Sequence, residues 1–247
     1  FDGDVDTEFD GDVDTEFDGD VDTEFDGGVD TGFDGGPVAE PTKDPDVPAD
    51  KITRLEAVWD ADNDPHADVV FSRKKLKAAN KGPFRYKVYL PADYYTSGDQ
   101  TYPVLFVASP GGNAGMGHLA PRLKQDRWIV VMLVDSRNRS PDWYGSFASA
   151  HDDAVRRFRI NPPVKVATGF SGGARASAYQ PVTREGYAGI IFQGAGIAGG
   201  FGHADNDDVV EIYQRLAVFG AFGSDDFNRG ESQQLRGIED VNCRIEV

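Results

Sequence analysis

The chain has 247 residues, 42 of them acidic and 25 basic, for a formal net charge of −17. The imbalance sits at the front: residues 1–50 hold 19 acids against the single Lys43, which leaves 23 acids and 24 bases for a near-neutral body of 197 residues. A tail of this kind repels phosphate, and the body has no basic stripe interleaved with aromatics, so a nucleic-acid partner is not expected. The longest apolar run, 128–134, is too short to span a bilayer, and the lone Cys243 allows neither an internal disulfide nor a CxxC metal site.

Residues 1–24 are the octapeptide FDGDVDTE three times over, followed by a decayed copy and a partial one ending at Gly36. Because eight is even, the acids of the intact copies all keep the same parity, and an extended chain would carry them on one face. Such a face repels itself, and Gly and Asp form helices and strands poorly, so without counterions disorder is expected. Asp6, Glu8, Asp10 and Asp14 place oxygen ligands at alternating positions around a turn glycine. The run resembles a thrombospondin type 3 repeat or a degenerate EF-hand loop, which implies calcium, although Phe17 stands where the closing bidentate Glu belongs. A solvated linker is weighed ahead of a weak calcium site. Residues 37–50, with four prolines among alternating acids, read as a stiff spacer to a domain over 51–247. No signal peptide is visible in a chain that opens on Phe1 in phase with its repeat, and the expected location is secreted, cell-surface or periplasmic.

In the body, 67–71 and 84–90 read as an antiparallel edge pair, the second alternating cleanly. Apolar runs at 104–108, 128–134, 164–168, 189–192, 216–222 and 243–247 follow. Several are continuous, as in strands buried on both faces, and most of the intervals hold a crossover helix, so the pattern is α/β with a mainly parallel sheet. Chemistry in such sheets gathers at the C-terminal strand ends. Three ends stand out. After 104–108 comes Ser109-Pro110-Gly111-Gly112-Asn113, a glycine-rich turn whose amides suit a developing oxyanion. After 164–168 comes Gly169-Phe170-Ser171-Gly172-Gly173, a strand, a tight turn and a helix with a serine at the apex, the form of a nucleophile elbow. After 216–222 comes Gly223-Ser224-Asp225-Asp226-Phe227-Asn228, an acid where a triad carboxylate follows its serine.

Together with Tyr86-Lys87-Val88-Tyr89-Leu90-Pro91, these motifs make residues 84–247 resemble an α/β-hydrolase, in the esterase branch similar to polyhydroxybutyrate depolymerases and feruloyl or acetylxylan esterases. The resemblance implies Ser171 as nucleophile, Asp226 as the acid, and the backbone N–H groups of Gly172 and of Gly111 or Gly112 as the oxyanion hole, with no cofactor required. Two departures stand against it: Ser109-Pro110 replaces the family's His-Gly, and the family's catalytic histidine belongs in the loop after the last strand, whereas this sequence stops at Val247.

The histidines present have plainer readings. His66 is expected at the surface, His118 near the pocket, and His151, beside two acids at a helix start, solvated. His203, in a glycine-rich loop, is the alternative base, although its chain order is wrong. Asp225 is expected exposed, and Asp135, also at a strand end, a structural cap. The leading expectation is a serine carboxylesterase acting on an ester of a small molecule, polyester or plant polysaccharide. A peptidase of the same fold, or a calcium-dependent binding protein with a catalytically inactive domain, are the alternatives. The sequence sets no oligomeric state.

Overall fold

The computed structural model describes residues 46–67, 79–140, 142–197, 207–231 and 243–246. The chain divides into Phe1–Gly36 and Pro37–Val247. The first unit, with Asp6, Glu8, Asp10 and Asp14, lies outside the described residues, and so do His203 and most of the strand expected at 67–71.

Eight strands form one sheet: β1 (Ile52–Ala57), β2 (Phe84–Tyr89), β3 (Tyr102–Ala108), β4 (Ile129–Leu133), β5 (Ile160–Phe170), β6 (Tyr187–Gln193), β7 (Ala217–Ala221) and β8 (Cys243–Glu246). Their spatial order is β1-β2-β4-β3-β5-β6-β7-β8. β2 pairs antiparallel with β1 and β4, and every other pairing is parallel. The expected antiparallel edge exists, but β1 supplies it from 52–57. As an edge strand β1 is exposed at Ile52, Arg54 and Glu56 and turns Thr53, Leu55 and Ala57 inward, so its charged residues hid it from a search for apolar runs.

Among the described residues five helices flank the sheet: α1 (Ala120–Gln125), α2 (Trp143–Arg157), α3 (Gly172–Ala178), α4 (Gln180–Thr183) and α5 (Asp207–Gln214). Strand parity distributes the core. Val104, Phe106 and Ala108 of β3 pack with Tyr144, Phe147 and Ala148 of α2, whereas Leu105 and Val107 pack on the other face with Leu123 of α1. Each such Val, Leu or Phe contributes roughly 1.5–3 kcal/mol of transfer free energy, which is why these strands read as unbroken apolar runs. The far end of the spacer also belongs to the body: Val47 is buried in the α2-side core, and the Asp50 N–H donates to the Leu90 carbonyl at 2.9 Å.

Where the parallel strands begin, an ion-pair network ties the segment after β1 to α2 and to the approach to β6. The Arg184 guanidinium donates to Asp64 (3.0 and 3.3 Å) and to Asp152 (2.8 and 3.0 Å). Trp59 Nε1 (2.8 Å) and the Tyr144 hydroxyl (3.1 Å) also donate to Asp64. Burial alone would raise the Asp64 carboxyl, but the hydrogen bonds and charge of Arg184, helped by Trp59 and the His66 N–H, hold it below the ordinary carboxylate range.

The Asp64 side chain is only 2% exposed, so removing its counter-ion leaves a buried charge. Arg184→Met is expected to cost about 3 kcal/mol in urea unfolding, the low end for a broken buried pair because three donors remain. A depressed folded-state pKa contributes stability that is complete above the unfolded-state value and lost as pH falls through the folded one. The parent chain is therefore expected to lose more stability on acidification than Arg184→Met, and equal acid slopes would count against this role for Asp64.

Candidate active site

The β5–α3 turn is built on close backbone approach. A Cβ on Gly169 would strike the backbone of Gly173 and, at 2.7 Å, the Ala174 nitrogen; one on Gly173 would lie 2.6 Å from the carbonyl carbon and oxygen of Ala108 at the end of β3. Only glycine lets helix and strands meet this closely. Ser171 must then turn within a single residue, and it does so at φ 51°, ψ −124°. That region holds few non-glycine residues, and occupying it stores on the order of 1–3 kcal/mol. The Ser171 N–H donates to the Gln193 carbonyl at 2.8 Å, which fixes the elbow to the end of β6.

Asp226 enters from the next strand. Its Oδ1 accepts the Asn228 N–H at 2.9 Å, while Oδ2 accepts no hydrogen bond among the described residues. A Cβ on Gly194, the residue after Gln193, would come within 2.8 Å of that Oδ2 and 2.9 Å of the Phe170 ring. Ser171 and Asp226 thus flank the Gln193-Gly194 end of β6. The Asp226 loop is held there by Asn228, whose Nδ2 donates to the Gly194 carbonyl (2.8 Å) and whose Oδ1 accepts from Arg175 of α3 (3.0 Å). Arg175 also pairs with Glu231, which takes the Gly196 N–H at 2.8 Å. Asp225 is exposed.

The glycine-rich turn after β3 is pinned to the chain that follows β4. Asn138 N–H donates to Pro110 carbonyl (2.9 Å), Asn113 N–H to Val134 carbonyl (2.9 Å), and Gly111 bridges Arg137. Of the two candidate donors, Gly112 closes the turn by donating to the Ser109 carbonyl at 3.0 Å. The Gly112 amide is thereby engaged, and the exposed Gly111 is the amide left without an acceptor among the described residues. On the opposite side, the Gly172 N–H is the first of α3 and has no intrahelical acceptor.

Asp135 is not a helix cap: it accepts the backbone N–H (2.7 Å) and Nε (3.2 Å) of Arg85 and locks β2 to β4. His151 is not solvated either. It is buried within α2 between the rings of Phe106 and Tyr187, and burial pushes its pKa down to about 4. Its Nε2 lies 3.4 Å from Lys165 Nζ, whose pKa burial lowers to about 8. Lys165 stands six residues before Ser171, which at about 3.3 Å per residue puts His151 roughly 20 Å from the elbow. His66 is half-buried beside Asp64 and Arg184 at the same far end. His118 is exposed in the turn Gly117–Leu119 that leads into α1. None of these three is tied to Ser171 or Asp226 by a hydrogen bond.

Sequence reasoning missed three neighbours. The Asn138 side chain sits directly over Gly172, occupying the space a Cβ there would need; nothing in its local sequence marks it. Phe170 and Phe227 flank the serine and the acid and are 58% and 92% exposed, a pairing legible only once both motifs share a strand end. Among the described residues no cluster of His, Cys, Asp and Glu is arranged to hold a metal ion, and no helix is long and apolar enough to cross a membrane.

The strand order, the single reversed strand and the serine elbow after β5 define an α/β-hydrolase fold. The chain matches no family model, and no curated protein matches it in sequence. It is similar in structure to a ferulic acid esterase (TM-score 0.55, 14% identity, covering 79% of this chain and 88% of that one). It is likewise similar to FphF, a fluorophosphonate-binding serine hydrolase of Staphylococcus aureus (0.55, 12%, 81% and 90%). A thermostable esterase also matches (0.55, 15%, 80% of this chain), and this chain spans 54% of its length.

Two substitutions test the geometry. Ser171→Gly is expected to unfold at higher temperature than Ser171→Ala, by about 1 kcal/mol of stability, because only glycine relieves the positive φ; the reverse order would mean the elbow is unstrained. Asn228→Ala is expected to cost about 1–3 kcal/mol in denaturant unfolding, since it leaves the buried Gly194 carbonyl without a donor.

Proposed function

We propose that the protein is a serine-dependent carboxylic ester hydrolase working through an acyl-enzyme. The observation that carries this reading is the strained Ser171, held at a strand end beside an Asp226 carboxylate whose Oδ2 is open. Ser171 Oγ attacks the ester carbonyl and gives its proton to a histidine, and the imidazolium formed is oriented and stabilised by Asp226. The amides of Gly172 and Gly111 hold the tetrahedral oxyanion. The intermediate collapses as the histidine passes the proton to the departing alcohol, and water then releases the acid by the same route in reverse.

His151 is far from the elbow, and neither His66 nor His118 is hydrogen-bonded to Ser171 or Asp226. Parallel pairing with β7 sets the C-terminal end of β8 beside the Asp226 loop, so a histidine reaching back from that end would meet the carboxylate; His203 is the competitor, in a segment outside the described residues. The exposed Phe170 and Phe227 favour an ester with an aromatic or otherwise apolar part. The likeness to a ferulic acid esterase and to a fluorophosphonate-binding hydrolase supports the reading.

In a chain carried past β8, a fluorophosphonate probe is expected to label Ser171, and Ser171→Ala to abolish turnover of short-chain aryl esters. Labelling elsewhere, or none, would overturn the assignment of the nucleophile.

A further inference from the structure

Beside the glycine-rich turn lies a cavity of about 260 Å³ lined by Arg54, Arg85, Gly111, Asn113, Val134 and Arg137. Three segments that are distant in sequence each contribute an arginine: β1, β2 and the chain after β4. A fourth cation adjoins them. Lys87 faces Arg54 across the β1–β2 register, and its ammonium reaches the Asn113 carbonyl at 3.4 Å. Burial, and then the charge of Arg54, lowers the Lys87 pKa, as crowding of like charges demands.

The carboxylates nearby do not neutralise this group. Asp135 is taken by Arg85, whose backbone N–H and guanidinium both donate to it. Glu56 stands opposite Arg85 in register. The charge of Arg137 also acts on Asp135, but the guanidiniums of Arg54 and Arg137 have no hydrogen bond or ion pair among the described residues. Two guanidinium groups therefore face the cavity with their donors unspent. A guanidinium presents a planar fork that matches a carboxylate, and in a cleft its field is less screened than on an open surface.

The sheet fixes where this lies relative to the chemistry. β4 is two strands from β5 and β1 is four. At about 4.8 Å per strand, β4 is roughly 10 Å and Arg54 on β1 roughly 20 Å from the strand that carries Ser171, and Arg137, past the end of β4, is bridged to Gly111 on the near side of that span. The cavity and the elbow share a wall: Gly111 lines the cavity, and Asn138, next to Arg137, lays its side chain over Gly172. Phe170 and Phe227 stand on the other side of the serine, toward β6 and β7.

We propose that the cavity binds a carboxylate carried by the ester substrate, roughly 10 Å from the scissile carbonyl, with Arg137 and Arg54 as its counter-ions. The substrate class is then an amphiphilic ester, apolar toward Phe170 and Phe227 and anionic toward β4. This inference rests on the ester-hydrolase reading for its substrate, but the cavity's preference for an anion stands on its own residues.

Two ester pairs test it in the full-length protein. One is the para-nitrophenyl half-ester of sebacic acid against its methyl-capped, neutral counterpart, with the carboxylate on the acyl side. The other is the acetate ester of omega-hydroxydecanoic acid against its methyl ester, with the carboxylate on the alcohol side. One charged member is expected to exceed its neutral partner in kcat/KM by about tenfold, a ratio that shrinks at high salt. In Arg54→Ala/Arg137→Ala that ratio is expected to collapse to about one. Hydrolysis of the neutral esters with no preference in either pair, or a preference untouched by the double variant, would overturn the proposal and leave the ester-hydrolase reading standing.

If no ester is turned over, that reading fails, and calorimetry decides the cavity separately. Monomethyl sebacate titrated into Ser171→Ala is expected to bind, and not to bind once Arg54 and Arg137 are also replaced by alanine. Equal heats with and without the two arginines, or no heat at all, would overturn the anion site.

Discussion

The contact on which the molecule's chemistry depends is the backbone approach of α3 to the end of β3. Gly173 lies against the Ala108 carbonyl and Gly169 against the first turn of the helix, with no room for a Cβ at either place. A helix brought this close leaves its connecting residue a single way to turn. Ser171 accordingly adopts a positive φ that its side chain disfavours, and the energy stored there is balanced by the packing of the strands and helix on either side. The same approach brings the first N–H of α3 next to the turn after β3, so the Ser171 turn and the amides beside it come from one packing event.

The two ends of the sheet treat polar groups in opposite ways. Where the parallel strands begin, Asp64, Asp152 and Arg184 satisfy one another, Trp59 and Tyr144 complete the set, and His151 is kept neutral between aromatic rings. Where the strands end, among the described residues Asp226 keeps an open carboxylate oxygen, Gly111 and Gly172 keep open amides, and Arg54 and Arg137 keep open guanidiniums. Groups of this kind stabilise a fold little and are useful to a substrate, because their hydrogen bonds form only when one arrives. Between the ends, the Arg175–Asn228–Gly194 hydrogen bonds hold the acid loop to the nucleophile helix.

Much of this was legible from residue order alone. The central strands are apolar on both faces because helices cover both, so they appear as continuous runs, and the elbow announces itself because strand, serine, glycines and helix are contiguous. Asp226 follows for the same reason, as an acid directly after a strand. Local information failed where neighbours in space differ from neighbours in sequence. β1 is an edge strand whose exposed Arg54 and Glu56 mask its alternation, and the acids beside His151 suggested solvent when Phe106 and Tyr187 enclose it. The Gly112 amide resembled its neighbour Gly111 until the Ser109 turn engaged it.

What the sequence by itself determined is therefore the α/β class, the strand series and the serine and acid that follow two of its members, since each is encoded in a few consecutive residues. What only the tertiary structure decided is which groups remain unsatisfied beside them. Asn138 over Gly172, the paired exposed phenylalanines and the arginine cluster each draw on segments far apart in the chain. Strand order and register bring them together, and a burial pattern along one strand carries no record of which strand lies beside it.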